Sequence, residues 1–219
     1  MKLHWSPNSP FVRKVMIAIH EKDLLAEVET VRSRVVFAGA PNGDVLRDNP
    51  LGKIPTLVTD DGEVIFDSAV ICEYLDEIRP QPPLLPRPWG ERLKNLRWQA
   101  LGDGMLDILL LLRIEAQRAD RADPRVLDSL ATKARASMAM LEGEMEELSR
   151  GPFAIGAITA VCVLGYLDFR YAESEWRRAH PVTARWYDDL AERPSVAATR
   201  IADISEDGRL PLFFGEARP

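Results

Sequence analysis

Two cysteines in 219 residues, Cys72 and Cys162, leave no material for a disulfide framework or a thiolate metal site. Histidine is nearly as scarce. His4, His20 and His180 have no readable carboxylate or serine arrangement around them, so all three are read as structural. Positive charge is in deficit, with 28 Lys and Arg against 34 Asp and Glu and a net charge of −6. That balance argues against nucleic acid, which calls for a basic footprint. Long apolar runs are missing too. Ile108–Leu112 is five residues, against the roughly 20 that cross a bilayer. The opening Met1-Lys2-Leu3-His4-Trp5 has no signal-peptide pattern. The expectation is a soluble, cytoplasmic, reduced protein with no metal, no nucleic-acid partner and no membrane partner.

Proline is unevenly spread. Pro80, Pro82, Pro83, Pro86 and Pro88 crowd nine positions, breaking helix and strand alike. A linker is therefore placed at 79–89, between an N-terminal domain over 1–78 and a C-terminal domain over 90–219. The length is ample for a real core in two domains. Beyond the linker the pattern is helical, at roughly 90–120, 124–149, 158–172, 181–192 and 195–202. No internal repeat interrupts it.

The densest information lies between Asn49 and Leu75. Asn49-Pro50-Leu51-Gly52 is turn chemistry, with φ fixed at Pro50 and a positive φ open to Gly52. Thr56–Thr59 and Glu63–Phe66 are short β-type runs around Asp60-Asp61-Gly62, which predicts an antiparallel hairpin. Asp67-Ser68 then favours a helix start, followed by Ile71, Tyr74, Leu75 and Ile78 at helical spacing. Pro55 opens a strand where its missing N–H matters least. A cis Ile54–Pro55 bond there would turn the Ile54 backbone towards a ligand. The free N–H groups and dipole of the following helix attract a carboxylate, with the Ser68 hydroxyl as a further donor. Read alone, the same run also serves as an ordinary capped helix with no ligand.

Near the N-terminus, Lys2–Trp5 reads as a strand and Ser6-Pro7-Asn8-Ser9-Pro10 as a loop. Phe11, Val12, Val15, Met16 and Ile19 then form a helical face, with Arg13 and Lys14 expected outside. A short second strand begins near Glu27 and closes at Thr30–Ser33.

Asn49, Pro50, Gly52, Lys53, Pro55, Leu57, Asp67 and Ser68, in this order and spacing, closely resemble the glutathione-binding half of glutathione S-transferases. The loop from Ser6 to Val15 has the SPxSPxxRKV form of bacterial members, and Leu164–Arg170 and His180–Ser195 resemble the family's late helices. The resemblance runs from Lys2 to about Ile201. It implies a cytosolic glutathione transferase fold: an α/β thioredoxin-like N-terminal domain, then an all-α C-terminal domain. One departure is visible. Ala154 and Ala157 stand where many members carry a Ser/Thr-x-x-Asp capping box, and Thr159 or a water is expected to substitute in part.

The resemblance also assigns roles. Glutathione is the implied substrate, with no metal. Ser9, one residue before a Pro suited to the first helical turn, is the implied thiolate donor, with Ser6 and Asn8 as lesser candidates. Serine at this place cannot form a mixed disulfide, which favours nucleophilic transfer over thiol–disulfide exchange. The Ile54 backbone is expected to pair with the cysteinyl part, Asp67 with the γ-glutamyl ammonium, Ser68 with its carboxylate, and Lys53 or, less favourably, Arg34 with a ligand carboxylate. A hydrophobic electrophile is expected between the domains. Trp98, Leu101, Met105 and Leu109 share one helical face, either core or pocket wall. Met105, Leu109 and Arg113 are the pocket candidates, with Phe213-Phe214 near its edge. A homodimer is implied. The rival readings are a non-catalytic glutathione- or hydrophobe-binding protein, and a glutathione-dependent reductase, lyase or isomerase.

Overall fold

The computed structural model describes residues 1–202; Phe213 and Phe214 lie outside them. Four short strands form one mixed sheet: β1 (Lys2–Trp5), β2 (Glu29–Arg32), β3 (Thr56–Val58) and β4 (Val64–Ile65). Their spatial order is β2-β1-β3-β4, with β1 parallel to β2 and antiparallel to β3, and β3 antiparallel to β4. The helices of this half are α1 (Pro10–Glu21), α2 (Gly43–Asp48) and α3 (Ser68–Ile78). The expected hairpin is present, each strand shorter than its sequence run.

Helix α2 was not visible in the sequence pattern. It is six residues long, buries only Val45, and depends on the Asn42 side chain, which accepts from the N–H groups of Asp44 and Val45. Its far end is tied to the sheet. Asp48 Oδ2 accepts from Lys2 Nζ at 2.7 Å and lies 2.7 Å from Nε2 of the buried His4. These contacts hold the Asp48 carboxyl below the usual carboxylate range.

After α3 ends at Ile78, no helix or strand occurs before α4 (Trp89–Ala116). Then come α5 (Pro124–Arg150), α6 (Ile155–Arg170), α7 (Trp176–Ala179), α8 (Pro181–Leu190) and α9 (Pro194–Ala198). Helix α6 is the axis of this half: every residue but Asp168 and Phe169 is buried. A helix apolar on all sides has to be surrounded, and α1, α4 and α5 all pack on it. One continuous core therefore joins Leu3, Ile17, Leu57 and Leu75 to Leu106, Ile158, Val161 and Leu164.

Helix α1 departs from its expected orientation. Arg13 and Lys14 are not on the outside. They are 4 % and 0 % exposed, and they face the helical half. The Arg13 guanidinium donates to the carbonyl oxygens of Val161 on α6 and Val196 on α9, both at 3.3 Å. At the far end of α1, Glu21 accepts from Arg193 and Ser195. Burial alone would raise the Glu21 carboxyl, but these hydrogen bonds outweigh it and hold it low. The apolar periodicity of α1 had marked only one of its two buried faces.

The missing capping box of α6 is replaced from a distance. Ala154 offers no side-chain cap. Thr159 does not substitute: its hydroxyl donates back to the Ile155 carbonyl at 2.8 Å. Instead the Ile155 N–H donates to the Leu84 carbonyl at 2.8 Å, and the Gly156 N–H to Asn95 Oδ1 on α4 at 3.3 Å. Helix α6 also starts at Ile155, three residues before the expected 158. Replacing Asn95 by Ala should lower unfolding stability by about 0.5–2 kcal/mol, the usual worth of an N-cap. Urea denaturation checks this, and Asn95→Asp should retain most of the stability.

Candidate functional site

Strand directions bring three separate segments to one edge of the sheet. Strand β1 exits into the Ser6–Ser9 loop. Strand β3 runs the opposite way with Thr56 opposite His4, so Ile54 and Pro55 enter from that same edge. Strand β4 is antiparallel to β3, with Ile65 opposite Leu57, so it exits there too, into Phe66, Asp67 and Ser68. Ser9, Ile54, Pro55, Asp67 and Ser68, spread over some 60 positions of sequence, thus share one end of a small sheet.

Two helices begin at this edge. Ser9 is the N-cap of α1, its Oγ accepting from the Val12 N–H at 3.3 Å, with Pro10 at the first position. A hydroxyl oxygen that accepts in this way keeps its own proton for donation. Ser9 is half-buried. Ser6 is differently placed, since its hydroxyl donates to Asn8 Oδ1 at 2.8 Å. The second helix is α3, capped by Asp67, whose carboxylate accepts from the Ala69 N–H at 3.0 Å. Asp67 is exposed, and Ser68, the first helical residue, is buried. Free N–H groups and two helix dipoles give the edge a positive potential, with one carboxylate set within it.

Between the helix starts lies the Ile54–Pro55 junction, whose peptide bond is cis. Ile54 packs with Val12 and Val45 in a small apolar cluster of its own. Its backbone N–H and C=O pair with no other backbone group among the described residues. The approach to it is rigid. Asn49, 1 % exposed, donates from Nδ2 to the Lys53 carbonyl at 3.2 Å and to Thr56 Oγ1 at 3.0 Å. The Thr56 hydroxyl donates to the same Lys53 carbonyl at 2.9 Å. Gly52 takes φ +62°, the left-handed conformation for which glycine is suited. Lys53 itself is exposed at the rim, and so is Arg34, just beyond β2.

Behind this edge, a buried ion pair joins α1 to the helical half. Lys14 Nζ, wholly buried on α1, donates to both carboxylate oxygens of Asp103 on α4 at 2.7 Å. Burial pushes the Asp103 carboxyl up, the Lys14 ammonium opposes that, and Asp67 and Asp107 add to the rise. Asp67 is thus within electrostatic reach of α4. Sequence reasoning missed this pair. Its only signal is an acid between two glycines inside an apolar stripe, Leu101-Gly102-Asp103-Gly104-Met105.

The stripe on α4 is core. Met105 and Leu109 are 1 % and 2 % exposed and packed into the main apolar cluster. Arg113, one turn beyond Leu109, is half-buried. Lys22, at the end of α1, donates to the Arg79 and Pro82 carbonyls, close to Leu84 and the start of α6. Helix α1 therefore runs against α4 and α6, and its Ser9 end points towards their C-terminal halves. There Arg113 and Arg170 oppose the upward push of burial on the Tyr166 hydroxyl.

Neither cysteine takes part. Burial pushes both the Cys72 and Cys162 thiols up to about 12. Among the described residues, no group of three His, Cys, Asp or Glu side chains is placed to hold a metal ion, and no single helix is long and apolar enough to cross a membrane.

Comparison with known proteins agrees with this fold. Residues 8–78 match the glutathione S-transferase N-terminal domain and residues 114–189 the glutathione S-transferase C-terminal domain. The chain is 35 % identical to the uncharacterized GST-like protein YibF of Escherichia coli, over 91 % of this chain and 98 % of that one. It is 28 % identical to glutathione S-transferase GstB of the same organism, over 90 % and 96 %. A glutathione transferase family member from Pseudomonas fluorescens Pf-5, solved with bound glutathione, superposes with a TM-score of 0.89 at 41 % identity, over 92 % of this chain and 99 % of that one. A glutathione S-transferase from Methylobacillus flagellatus, also with glutathione bound, gives 0.83 at 34 % identity, over 90 % and 98 %.

The ion pair that fixes α1 against α4 has a measurable weight. Asp103→Ala leaves the Lys14 ammonium buried without a partner, which should destabilise the protein by about 3 kcal/mol. Lys14→Met combined with Asp103→Leu should recover most of that loss, as read from urea denaturation midpoints.

Proposed function

The chain belongs to the glutathione S-transferase family, and from that premise we propose that it binds glutathione at the sheet edge and activates its thiol for attack on an electrophilic small molecule. The observation that carries this reading is the convergence of Ser9, Ile54 and the Asp67-Ser68 helix start on one edge. In this reading the extended Ile54 backbone pairs with the cysteinyl residue of glutathione in strand fashion. Asp67 takes the γ-glutamyl ammonium, the Ser68 hydroxyl and N–H take its carboxylate, and Lys53 takes the glycyl carboxylate.

The chemistry needed is modest. A free thiol has a pKa of about 8.5, so about 3 % is thiolate at pH 7. Lowering it by about two units makes the thiolate dominant, for about 2.7 kcal/mol of differential stabilisation. The Ser9 hydroxyl supplies a hydrogen bond to the anion, and the start of α1 adds positive potential. Since Val12 N–H already fills one lone pair of Ser9 Oγ, the hydroxyl proton is directed outward. The thiolate then attacks the electrophile, forming the carbon–sulfur bond as the leaving group departs with its electron pair. The electrophile enters between the halves, bordered by Arg113. No cysteine stands at the start of α1, and the two buried thiols are held protonated, which favours transfer over disulfide exchange.

The protein is further proposed to act as a homodimer in the cytoplasm. Val70 on α3 and Leu93 on α4 are both 51 % exposed, and Trp89 is 67 % exposed, the kind of apolar surface a second copy would cover.

Ser9→Ala should raise the pKa of bound glutathione by about two units, read from thiolate ultraviolet absorbance against pH, and should cut conjugation of a generic aryl halide, with little loss of glutathione affinity. Unchanged absorbance and turnover would overturn the role of Ser9. Asp67→Ala should instead weaken glutathione binding by about tenfold or more, the worth of a hydrogen bond to a charged group. Retention on a glutathione matrix equal to that of the parent would remove that assignment. Tight glutathione binding with no turnover over a broad electrophile panel would point to a binding protein.

A further inference from the structure

A cavity of about 350 Å³ opens on the other side of α1, among α6, α8 and α9, lined in part by Arg13, Gly165, Phe169, Tyr187, Val196 and Ile201. Its charges do not balance. Arg177 donates to Asp168 and to Asp188, and Arg200 pairs with Glu192. These cations and acids of the cavity wall satisfy one another. Arg13 is the exception. It is 96 % buried by its 4 % exposure, pairs with no carboxylate among the described residues, and its Nε has no hydrogen-bond partner. Its two bonds are to neutral carbonyl oxygens, both at the long distance of 3.3 Å. A buried guanidinium without a counter-charge is strongly disfavoured unless an anion neutralises it.

The space beside it is provided for. A Cβ on Gly165 would fall 1.9 Å from Arg13 Nη1 and 2.9 Å from the Tyr187 hydroxyl oxygen. The glycine of the Leu164-Gly165-Tyr166-Leu167-Asp168 run is therefore what admits the guanidinium, and it brings a phenol to the same spot. The Tyr187 hydroxyl makes no hydrogen bond among the described residues. Phe169, Val196 and Ile201 supply apolar wall. We propose that this cavity is a binding site for a small monocarboxylate with an apolar body, its carboxylate facing Arg13 and the Tyr187 hydroxyl, separate from the glutathione edge. The choice follows from the lining: one unbalanced cation and one hydroxyl donor for the head, aromatic and aliphatic side chains for the remainder, and a volume of the size that takes a single small ligand.

The test uses the full chain and benzoate as the probe, with benzamide as its neutral counterpart and inorganic phosphate as an anion without an apolar body. Calorimetric titration should show benzoate binding equally well with and without saturating glutathione, and benzamide and phosphate binding at least about tenfold more weakly. Arg13→Met and Tyr187→Phe should each weaken benzoate by about tenfold, and Tyr187→Phe should leave glutathione affinity unchanged. If Arg13→Met fails to fold, Tyr187→Phe decides, since removing one hydroxyl keeps the ring packed. The proposal is overturned if benzoate does not bind, if glutathione displaces it, if benzamide binds as well, or if the folded variants bind it like the parent.

Discussion

Lys14 Nζ, with no exposure to solvent, sits 2.7 Å from both oxygens of Asp103, and the geometry of the whole molecule is referred to that contact. A single helix start has to be aimed at a sheet edge while its shaft lies against a second, all-helical body. Apolar packing alone is non-directional and would tolerate rotation of α1 about its axis. A buried bidentate contact does not, because any slip leaves an ammonium unpaired in a low dielectric. Arg13 one residue earlier and Glu21 two turns later fix the same helix against α6 and α9, so α1 is held along its length by polar contacts rather than merely covered.

What this rigidity protects is an edge assembled from parts that are weak individually. A helix N-terminus attracts anions modestly, an unpaired strand backbone offers two hydrogen bonds, and one carboxylate offers a counter-charge. Each is common in proteins that bind nothing. Here the strand directions of a four-stranded sheet bring them to one end. Asn49 and Thr56, both buried, hold the Lys53 carbonyl and so set the approach to Ile54. In the proposed reading the reactive position, Ser9, and the recognition positions lie on different segments, so Ser9 can be altered without disturbing the surface that would recognise the rest of a ligand.

Much of this was legible in the sequence, and the parts that were not share a cause. The hairpin, the Asp67 cap and the Ser9-Pro10 helix start are local: turn residues, capping residues and short-range periodicity specify them within a few positions. Arg13 and Lys14 looked solvent-facing because their partners, Asp103 and the Val161 and Val196 carbonyls, lie about 90 to 180 residues away. The α6 cap was sought at Thr159, inside the helix, whereas Asn95 supplies it from another helix. Short α2 has almost no apolar face and is held by Asn42 and Asp48, so periodicity had nothing to detect. Met105 and Leu109 could be assigned to core or pocket only once the surface opposite them, α6, was known. Polar partners distant in sequence leave no pattern; the family resemblance supplied the architecture that periodicity could not.

The proline-rich segment after α3 is gripped from both sides. Lys22 of the sheet-bearing half holds its Arg79 and Pro82 carbonyls, Asp76 accepts from the N–H groups of Leu84 and Leu85, and the Leu84 carbonyl in turn caps α6 of the helical half. A segment wired in this way is no tether. Cutting it, lengthening it or grafting either half onto a foreign partner would cost α6 the Leu84 part of its cap and leave the buried Lys22 with Asp76 as its remaining acceptor. The two halves are therefore joined by more than a peptide, and a chimera of this chain with a relative has to exchange the segment together with whatever contacts it.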